Sequence, residues 1–317
     1  MKKIMKEITF LICGIFLCIF TFTSCEDNQY DKEMYKPILY LLSTGNHNVY
    51  NVVYPFGVEN AVGYFSIGCG GSKPNPETIT IELESDTVLM NEYNRINFGV
   101  DSASYAKLLP SGRYEFESYT VTFPANNKEQ YIKVPVKVNQ EGLSPDSIYF
   151  IPLNIKSVSN YEINQDRRNM LLRVLVENDY AEQITQTTYY QRAQYWEDGK
   201  EEDMYPANGP KIVQPLSKDE IRMYAGKNTQ DNKASLDSIN AYAMVLKINE
   251  DHSVDFRSYA NLDVEKLDRE NFNRYYTRLN SEYKQIQYFD LYYRFRVKKG
   301  NAYGSWIVVE ETLERLN

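Results

Sequence analysis

The sequence predicts an all-β protein with two domains. Short runs rich in Val, Ile, Tyr, Phe and Thr recur between clusters of turn residues, which is the pattern of strands in antiparallel sheets. The chain has 317 residues, more than a single core usually holds, and its composition shifts after Asn178. We therefore predict an N-terminal immunoglobulin-like β-sandwich over residues 37–178. A second β-rich domain, a sandwich or small barrel with one short helix, is predicted over residues 179–317.

The first domain is predicted to contain short strands without a helix, because no long helical period is present. Loop clusters such as Pro74-Asn75-Pro76 and Pro110-Ser111-Gly112 separate the strands. Pro135 and Pro152 fall inside two of them, and we expect these prolines at a sheet edge or a bulge because they cannot donate to a central ladder. The predicted strands cover residues 38–42, 49–54, 62–67, 78–83, 114–117, 119–123, 131–138, 149–155 and 170–176.

The second domain is predicted to be β-rich with one helix. Ser217-Lys218-Asp219-Glu220 matches a capping box, in which the Ser hydroxyl and the Glu carboxylate satisfy opposite backbone amides, so a short helix is predicted there. The charged segment 263–283, with scattered aromatic residues, is compatible with either a helix or a long loop. Strands are predicted over residues 241–248, 254–258, 288–297 and 306–311.

The first residues have the layout of an export signal. Three lysines precede an apolar run over residues 8–22, which is shorter than the roughly 20 residues of a spanning helix. Acidic residues follow the run, where a stop-transfer segment would be basic. We therefore predict a lipoprotein signal peptide over residues 1–24, cleavage before Cys25, and a flexible tether over residues 25–36.

Cys25 is the predicted lipid acceptor, because a cysteine directly after small residues at such a boundary matches a lipobox. A free cysteine after an ordinary signal peptide is the alternative. Two or three acyl chains would anchor the protein stably to a membrane. Glu26-Asp27 resembles the surface-export signal of Bacteroides lipoproteins, with a plain solvated linker as the alternative. The expected location is the outer membrane, facing the cell exterior.

Charge and composition exclude several classes of function. The net charge is −8, which argues against a nucleic-acid partner. His47 and His252 are the histidines of the chain and lie far apart, without metal-ligand spacing, so neither a metal site nor a cofactor is predicted. Gly68-Cys69-Gly70-Gly71 lacks the Lys-Ser/Thr of a phosphate loop, and Cys69 is expected to be a small buried residue.

Several segments resemble a known family. Asn91-Glu92-Tyr93-Asn94, expected as a turn, and residues 108–114, 121–124 and 143–155 resemble the N-terminal β-sandwich of Bacteroides surface lipoproteins encoded in glycan-utilisation loci. Residues 289–295 are similar to a β-rich C-terminal domain that often accompanies this sandwich. The resemblance implies a non-catalytic glycan-binding lipoprotein that works beside an outer-membrane transporter and its lid-like binding lipoprotein.

Some members of that family join the same sandwich to a chitinase-like glycoside hydrolase. This chain lacks the Asp-x-x-Asp-x-Asp-x-Glu run of those enzymes, and its second domain is too short for a barrel of about 250 residues. We therefore predict no catalytic residues. A glycosidase built from two carboxylates distant in sequence is the remaining enzymatic alternative.

Tyrosine is unusually abundant, with 28 Tyr beside 14 Phe and 2 Trp. Exposed aromatic rings can stack on the apolar faces of sugars while polar neighbours bond the hydroxyls, although most tyrosines of a β protein pack across strands. The candidate glycan-binding residues combine aromatic rings with an interleaved arginine and centre on Trp196. They are Tyr190, Arg192, Tyr195, Trp196 and Trp306, the last of which is equally compatible with a core position.

The leading hypothesis is a surface lipoprotein that captures oligosaccharides or polysaccharides for an outer-membrane uptake system. The alternative is a structural or assembly lipoprotein, fimbrial or transporter-associated, that binds protein instead of glycan. Four Asp-Ser/Thr-apolar tripeptides also match the O-glycosylation pattern of the same bacteria. They lie at residues 86–88, 101–103, 146–148 and 237–239.

Overall fold

The computed structural model describes residues 37–71, 73–227, 234–300 and 302–316. The predicted signal peptide, Cys25 and the tether lie outside these residues. Strands dominate the described chain, which confirms the predicted all-β class. In the described part, no helix is long and apolar enough to cross a membrane.

The elements of the described chain alternate between short strands and brief turns, with few helices. The first part contains β1 (Ile38–Leu41), β2 (Val49–Pro55), β3 (Ala61–Gly70), β4 (Ile79–Glu84), α1 (Val88–Phe98), β5 (Lys107–Leu108), β6 (Tyr114–Phe116), β7 (Thr120–Phe123), β8 (Tyr131–Val138), β9 (Tyr149–Val158), β10 (Glu162–Ile163) and β11 (Asn169–Glu177). The second part contains β12 (Thr188–Glu197), β13 (Tyr205–Ile212), β14 (Gln214–Pro215), β15 (Glu220–Tyr224), α2 (Leu236–Tyr242), β16 (Ala243–Ile248), β17 (Val254–Ser258), β18 (Leu262–Lys266), β19 (Arg274–Leu279), β20 (Gln285–Lys299), β21 (Ala302–Tyr303) and β22 (Ile307–Leu316).

Two sheets form the first domain. Their strand orders are β10-β1-β3-β8-β6 and β2-β11-β9-β4-β7, with β5 paired to β9. Alternation places apolar side chains in a shared core: in β4, Ile79, Ile81 and Leu83 are buried while Thr80 and Glu82 are exposed. All the strands predicted for this domain are present. Some alternate as β4 does, whereas β9 and β11 are buried over most of their length.

The prolines inside predicted strands lie where a neighbouring strand is missing. Pro152 in β9 pairs with Leu171 of β11 on one side. On the other side, β4 pairs as far as Asn154 and β5 as far as Phe150, which leaves Pro152 in the gap between them. Its missing N–H therefore does not interrupt a ladder on that side, in agreement with the expected edge position.

Helix α1 was not expected, and it contains the Asn91-Glu92-Tyr93-Asn94 segment that the family resemblance indicated as a turn. The helix ends at Gly99, which has a φ of 58° and donates its N–H to the Arg95 carbonyl. Asn94 anchors the helix, since its side chain exchanges hydrogen bonds of 2.8 and 3.1 Å with the backbone of Ala106. Val88 and Ile96 are apolar but exposed, so the apolar residues of this segment do not follow the regular spacing that predicts a helix.

The second domain also contains two sheets, ordered β13-β12-β22-β20-β18, with β19 and β21 on β20, and β14-β15-β16-β17. The capping-box prediction was wrong. Ser217 bonds Asp219 at 3.0 Å, and Glu220 begins strand β15, where pairing with β16 replaces helical bonds. The helix of this domain is α2, capped by Ser235, whose hydroxyl accepts from the Ser238 N–H at 3.2 Å. The undecided segment 263–283 contributes β18 and β19.

A buried polar cluster lies inside the second core. The Lys211 ammonium is 2.9 Å from Glu311, and both side chains are buried. Glu311 also accepts from the Tyr293 hydroxyl at 2.9 Å and from the Gln191 amide. Gly226 completes the cluster by donating its N–H to the Tyr293 oxygen at 3.0 Å. A Cβ at Gly226 would lie 2.7 Å from a ring of the core, so glycine is required there.

The two domains are joined by polar contacts as well as by the chain. The Asn178 amide donates to the carbonyls of Ser217 and Glu220 at 2.7 and 3.0 Å. Arg222 of β15 is fully buried and makes a bidentate pair with Asp146 of the first domain, with both distances 2.5 Å. Its guanidinium also lies 4.7 Å from the ring centre of Tyr259. The interface therefore contains a charged contact held in a fixed geometry.

Candidate functional site

The large sheet of the second domain has two chemically different faces. Along β12, Tyr189, Gln191, Ala193 and Tyr195 point into the core and are buried. Side chains of opposite parity on β12, β22, β20 and β19 form what we call the outer face. The outer face comprises Tyr190, Arg192, Arg274, Tyr276, Arg278, Tyr288, Asp290, Tyr292, Thr312 and Glu314.

Two parallel tyrosine rings form the centre of the outer face. Tyr276 pairs with Tyr288 across β19 and β20, and their ring centres lie 5.3 Å apart with an interplanar angle of 9°. The Arg278 guanidinium lies 4.7 Å from the Tyr276 ring centre and 5.8 Å from that of Tyr288. These positions give each ring a cationic neighbour, which favours a fixed ring orientation.

The strand register extends this aromatic row across the sheet. Tyr190 and Tyr288 both pair with Glu314, one from each neighbouring strand. Arg192 lies 5.2 Å from the Tyr190 ring centre and 2.7 Å from the Glu314 carboxylate. Burial, together with Glu314, raises the pKa of Tyr288. The row therefore presents tyrosine rings beside one carboxylate and two exposed guanidinium groups, those of Arg192 and Arg278.

A second row, mostly polar, lies directly beside the aromatic one. Asp290 accepts from the Thr312 hydroxyl at 2.8 Å and from the Tyr276 hydroxyl at 3.3 Å, and its other oxygen is 3.3 Å from Arg274. Burial raises the pKa of Tyr276, and Asp290 adds to that shift. Flat rings next to fixed donors and acceptors can stack on the C–H face of a sugar and bond its hydroxyls.

The structure places the predicted glycan-binding residues at different depths. Tyr190 and Arg192 lie together on the outer face, as described above. Tyr195 is 1% exposed and faces the core, where its hydroxyl contacts Gln191. Trp196 is 4% exposed and packs 6.3 Å from Tyr292. The expected centre at Trp196 is therefore not a surface platform, because neighbouring side chains already cover its ring.

Trp306 lies at the far end of the same sheet. Its ring is half-buried between Arg294 and Arg296, whose guanidinium carbons are 4.6 and 4.5 Å from the ring centre. Both arginines are themselves paired with carboxylates, Arg294 with Glu265 and Arg296 with Asp263. Trp306 therefore belongs to a charged cluster separate from the row at Tyr190.

Sequence reasoning missed Tyr276, Tyr288 and Arg278. The sequence did contain a signal for Tyr288, because aromatic and charged residues alternate along β20, which is typical of a half-buried strand. However, β19 lay in the segment whose structure the sequence left undecided. The pairing of Tyr276 with Tyr288 depends on the register between these strands, which one sequence does not reveal.

The described residues contain no cluster of His, Cys, Asp and Glu side chains that could hold a metal ion. His47 and His252 instead contact Tyr93 and Tyr275, with ring centres 5.6 and 5.7 Å apart. Cys69 is buried in the first core, as expected, and burial raises the pKa of its thiol.

Two family models match consecutive parts of the chain. One family model, described as an N-terminal domain, matches residues 30–162, and another, described as a C-terminal domain, matches residues 168–314. No curated protein matches the sequence.

Solved structures with the same fold come from Bacteroides. A Bacteroides ovatus protein of unknown function is 15% identical with a TM-score of 0.67, over 88% of this chain and 96% of that one. A B. ovatus multidomain protein including DUF1735 is 14% identical with a TM-score of 0.63, over 88% and 95%. An auxiliary nutrient binding protein from Bacteroides thetaiotaomicron is 15% identical with a TM-score of 0.56, over 86% and 92%.

These similarities extend over nearly the whole length of both partners in each pair, so the likeness includes both domains and their order. The chain therefore has the fold of two-domain Bacteroides proteins, with an N-terminal and a C-terminal domain that each match a family model.

Proposed function

We propose that the protein is a non-catalytic saccharide-binding lipoprotein that uses the outer face of its second domain. The observation that carries this proposal is the row of Tyr190, Tyr288 and Tyr276 beside fixed polar groups. Its partly exposed rings offer stacking surfaces, and Arg192, Asp290 and Glu314 offer donors and acceptors for hydroxyls. A structural relative described as a nutrient binding protein is consistent with this role.

The proposed placement is the outer membrane, with both domains outside the cell and an uptake transporter as partner. This proposal is supported by the sequence of residues 1–36, in which a segment with the layout of a signal peptide precedes Cys25 and two acidic residues follow it. A lipid-anchored binding protein would raise the local concentration of saccharide near a transporter. Bond cleavage would be left to other proteins.

Alanine at Tyr276 or Tyr288 is expected to weaken saccharide binding by about tenfold each, because each change removes one stacking face. Calorimetric titration of the purified protein with plant and host oligosaccharides measures the affinity. Tyr64→Ala is the matched control, since Tyr64 is a half-exposed strand tyrosine of the first domain. Affinity that is equal in all three variants would overturn the assignment to the outer face. If none of the oligosaccharides in the titration binds the wild-type protein, the proposal of saccharide binding itself is overturned.

Serine at Cys25 is expected to abolish lipid attachment and release the protein from the membrane fraction, because the thiol is the proposed acyl acceptor. Incorporation of labelled palmitate in cells measures attachment, and protease treatment of intact cells measures surface exposure. Cys69→Ser is the control, because that thiol is buried in the first core and should leave labelling unchanged. Label on the Cys25→Ser protein would contradict the anchor.

A further inference from the structure

A second candidate site lies where the linker between the domains meets the end of the large sheet. This pocket has a volume of about 720 Å³, within the range of roughly 300–1,000 Å³ that small-ligand pockets occupy. One wall is the linker segment 182–188, and the other is formed by the ends of β19, β20 and β22. The residues that line this pocket are not those of the outer face, so the pocket requires a separate explanation.

The linker wall is held by hydrogen bonds on both sides. The Glu182 N–H donates to the Thr187 hydroxyl at 2.8 Å, and the Thr187 carbonyl accepts from the Val213 N–H at 3.0 Å. The backbone of Glu182 also forms an isolated antiparallel β-bridge with that of Glu177 at the end of β11. The loop is therefore tied to the end of β11 in the first domain and to Val213, between β13 and β14, in the second.

The sheet wall is equally well ordered. The Gln287 carbonyl oxygen accepts from the Tyr189 hydroxyl at 3.1 Å and from Arg315 at 2.8 Å, while its amide donates to the Asp179 carbonyl at 2.8 Å. Burial raises the pKa of Tyr275, so its hydroxyl stays protonated and can donate. Donors and acceptors are thus positioned before any ligand arrives, which lowers the entropic cost of binding.

The chemistry of the pocket favours a neutral, hydroxyl-rich ligand. Thr185, Thr188 and Thr277 line it together with three glutamines, and polar surface exceeds apolar surface in the lining. Glu182 and Arg315 contribute opposite charges, so the site does not select a cation or an anion. We propose that this pocket binds a short neutral saccharide of one or two rings.

The pocket is independent of the outer face. Thr277 and Arg278 are neighbours in β19, and their side chains point to opposite faces of the sheet. Thr277 lines the pocket, whereas Arg278 stacks over the outer tyrosines. Substitutions at these adjacent positions therefore separate the two sites on the same strand.

The test follows threonine methyl signals by NMR while the purified protein is titrated with methyl glucosides, galactosides and mannosides, cellobiose, maltose and lactose. At least one sugar is expected to shift the signals of Thr185, Thr188 and Thr277 saturably. Gln285→Trp, which fills the exposed rim of the pocket, should abolish these shifts. Thr277→Val should weaken the affinity roughly three- to tenfold through one lost hydrogen bond, and Arg278→Ala should leave it unchanged.

Three results would overturn the proposal. The first is that no sugar of the set shifts the signals of the pocket threonines, even if the outer face binds. The second is that Gln285→Trp leaves the shifts intact, and the third is that Arg278→Ala removes them. Loss of outer-face binding in Tyr288→Ala together with intact pocket shifts would instead support two independent sites. If saccharide binding at the outer face alone is disproved, the proposal of saccharide binding in the pocket is therefore unaffected.

Discussion

Methionine at Lys211 is expected to destabilise the protein by about 3–5 kcal/mol, because it leaves the buried Glu311 carboxylate without its counter-charge. The two groups are 2.9 Å apart, and their side chains are 1% and 0% exposed, so water cannot replace the missing partner. Chemical denaturation monitored by tryptophan fluorescence measures the loss of unfolding free energy. Lys200→Met is a control, since Lys200 pairs with Glu197 at the surface.

The double variant Lys211→Met with Glu311→Gln is expected to recover most of this loss. It removes both buried charges, and the glutamine oxygen can still accept from the Tyr293 hydroxyl. A buried ion pair can often be replaced by neutral groups at small cost, whereas breaking it is expensive. A single Lys211→Met variant as stable as the wild type would contradict a charged pair in the core.

The same pair predicts a dependence on pH. Burial lowers the pKa of Lys211, and the ion pair with Glu311 opposes that shift. Between this lowered value and the ordinary lysine pKa of about 10.4, the unfolded chain binds more protons than the folded one, so Lys211 adds stability as the pH rises. Lys211→Met lacks this gain. The difference in unfolding free energy between the wild type and Lys211→Met is therefore expected to increase toward high pH.

Much of the first domain could be predicted because local pattern and tertiary structure agree there. In β4, the alternation of Ile79, Ile81 and Leu83 with polar residues fixes both the strand and its buried face. The capping box at Ser217 failed for the opposite reason. Glu220 and the residues after it pair with β16, and this long-range pairing outweighs the local helix signal.

The candidate site was predictable only in part. Tyr190 and Arg192 are two residues apart on one strand, so a local pattern finds both. Tyr276 lies three strand pairings away from them, through β20 and β22, so its position relative to them depends on three strand registers. Trp196 has the same parity as Tyr190, but Tyr292 packs against it and buries it. Residue type and spacing therefore identified the strand, and packing decided which of its rings remain accessible.

Methionine at Arg222 is expected to cost about 2–5 kcal/mol and to weaken the coupling between the domains. Arg222 is fully buried and forms two hydrogen bonds with Asp146 across the interface, so its loss leaves a poorly solvated carboxylate. Interfaces between domains resemble those between proteins, and their contacts couple the unfolding of two separate cores. Scanning calorimetry is expected to show one transition for the wild type and two for Arg222→Met.

Arg257→Met separates this interface effect from the general loss of an arginine. Arg257 pairs with Glu220, the first residue of the strand that carries Arg222, but its side chain is 52% exposed. An exposed pair of this kind contributes about 0–1 kcal/mol, so Arg257→Met should keep a single transition near the wild-type temperature. If Arg222→Met behaved in the same way, the bidentate contact would not couple the domains, and Asn178 and the chain connection would have to hold them together.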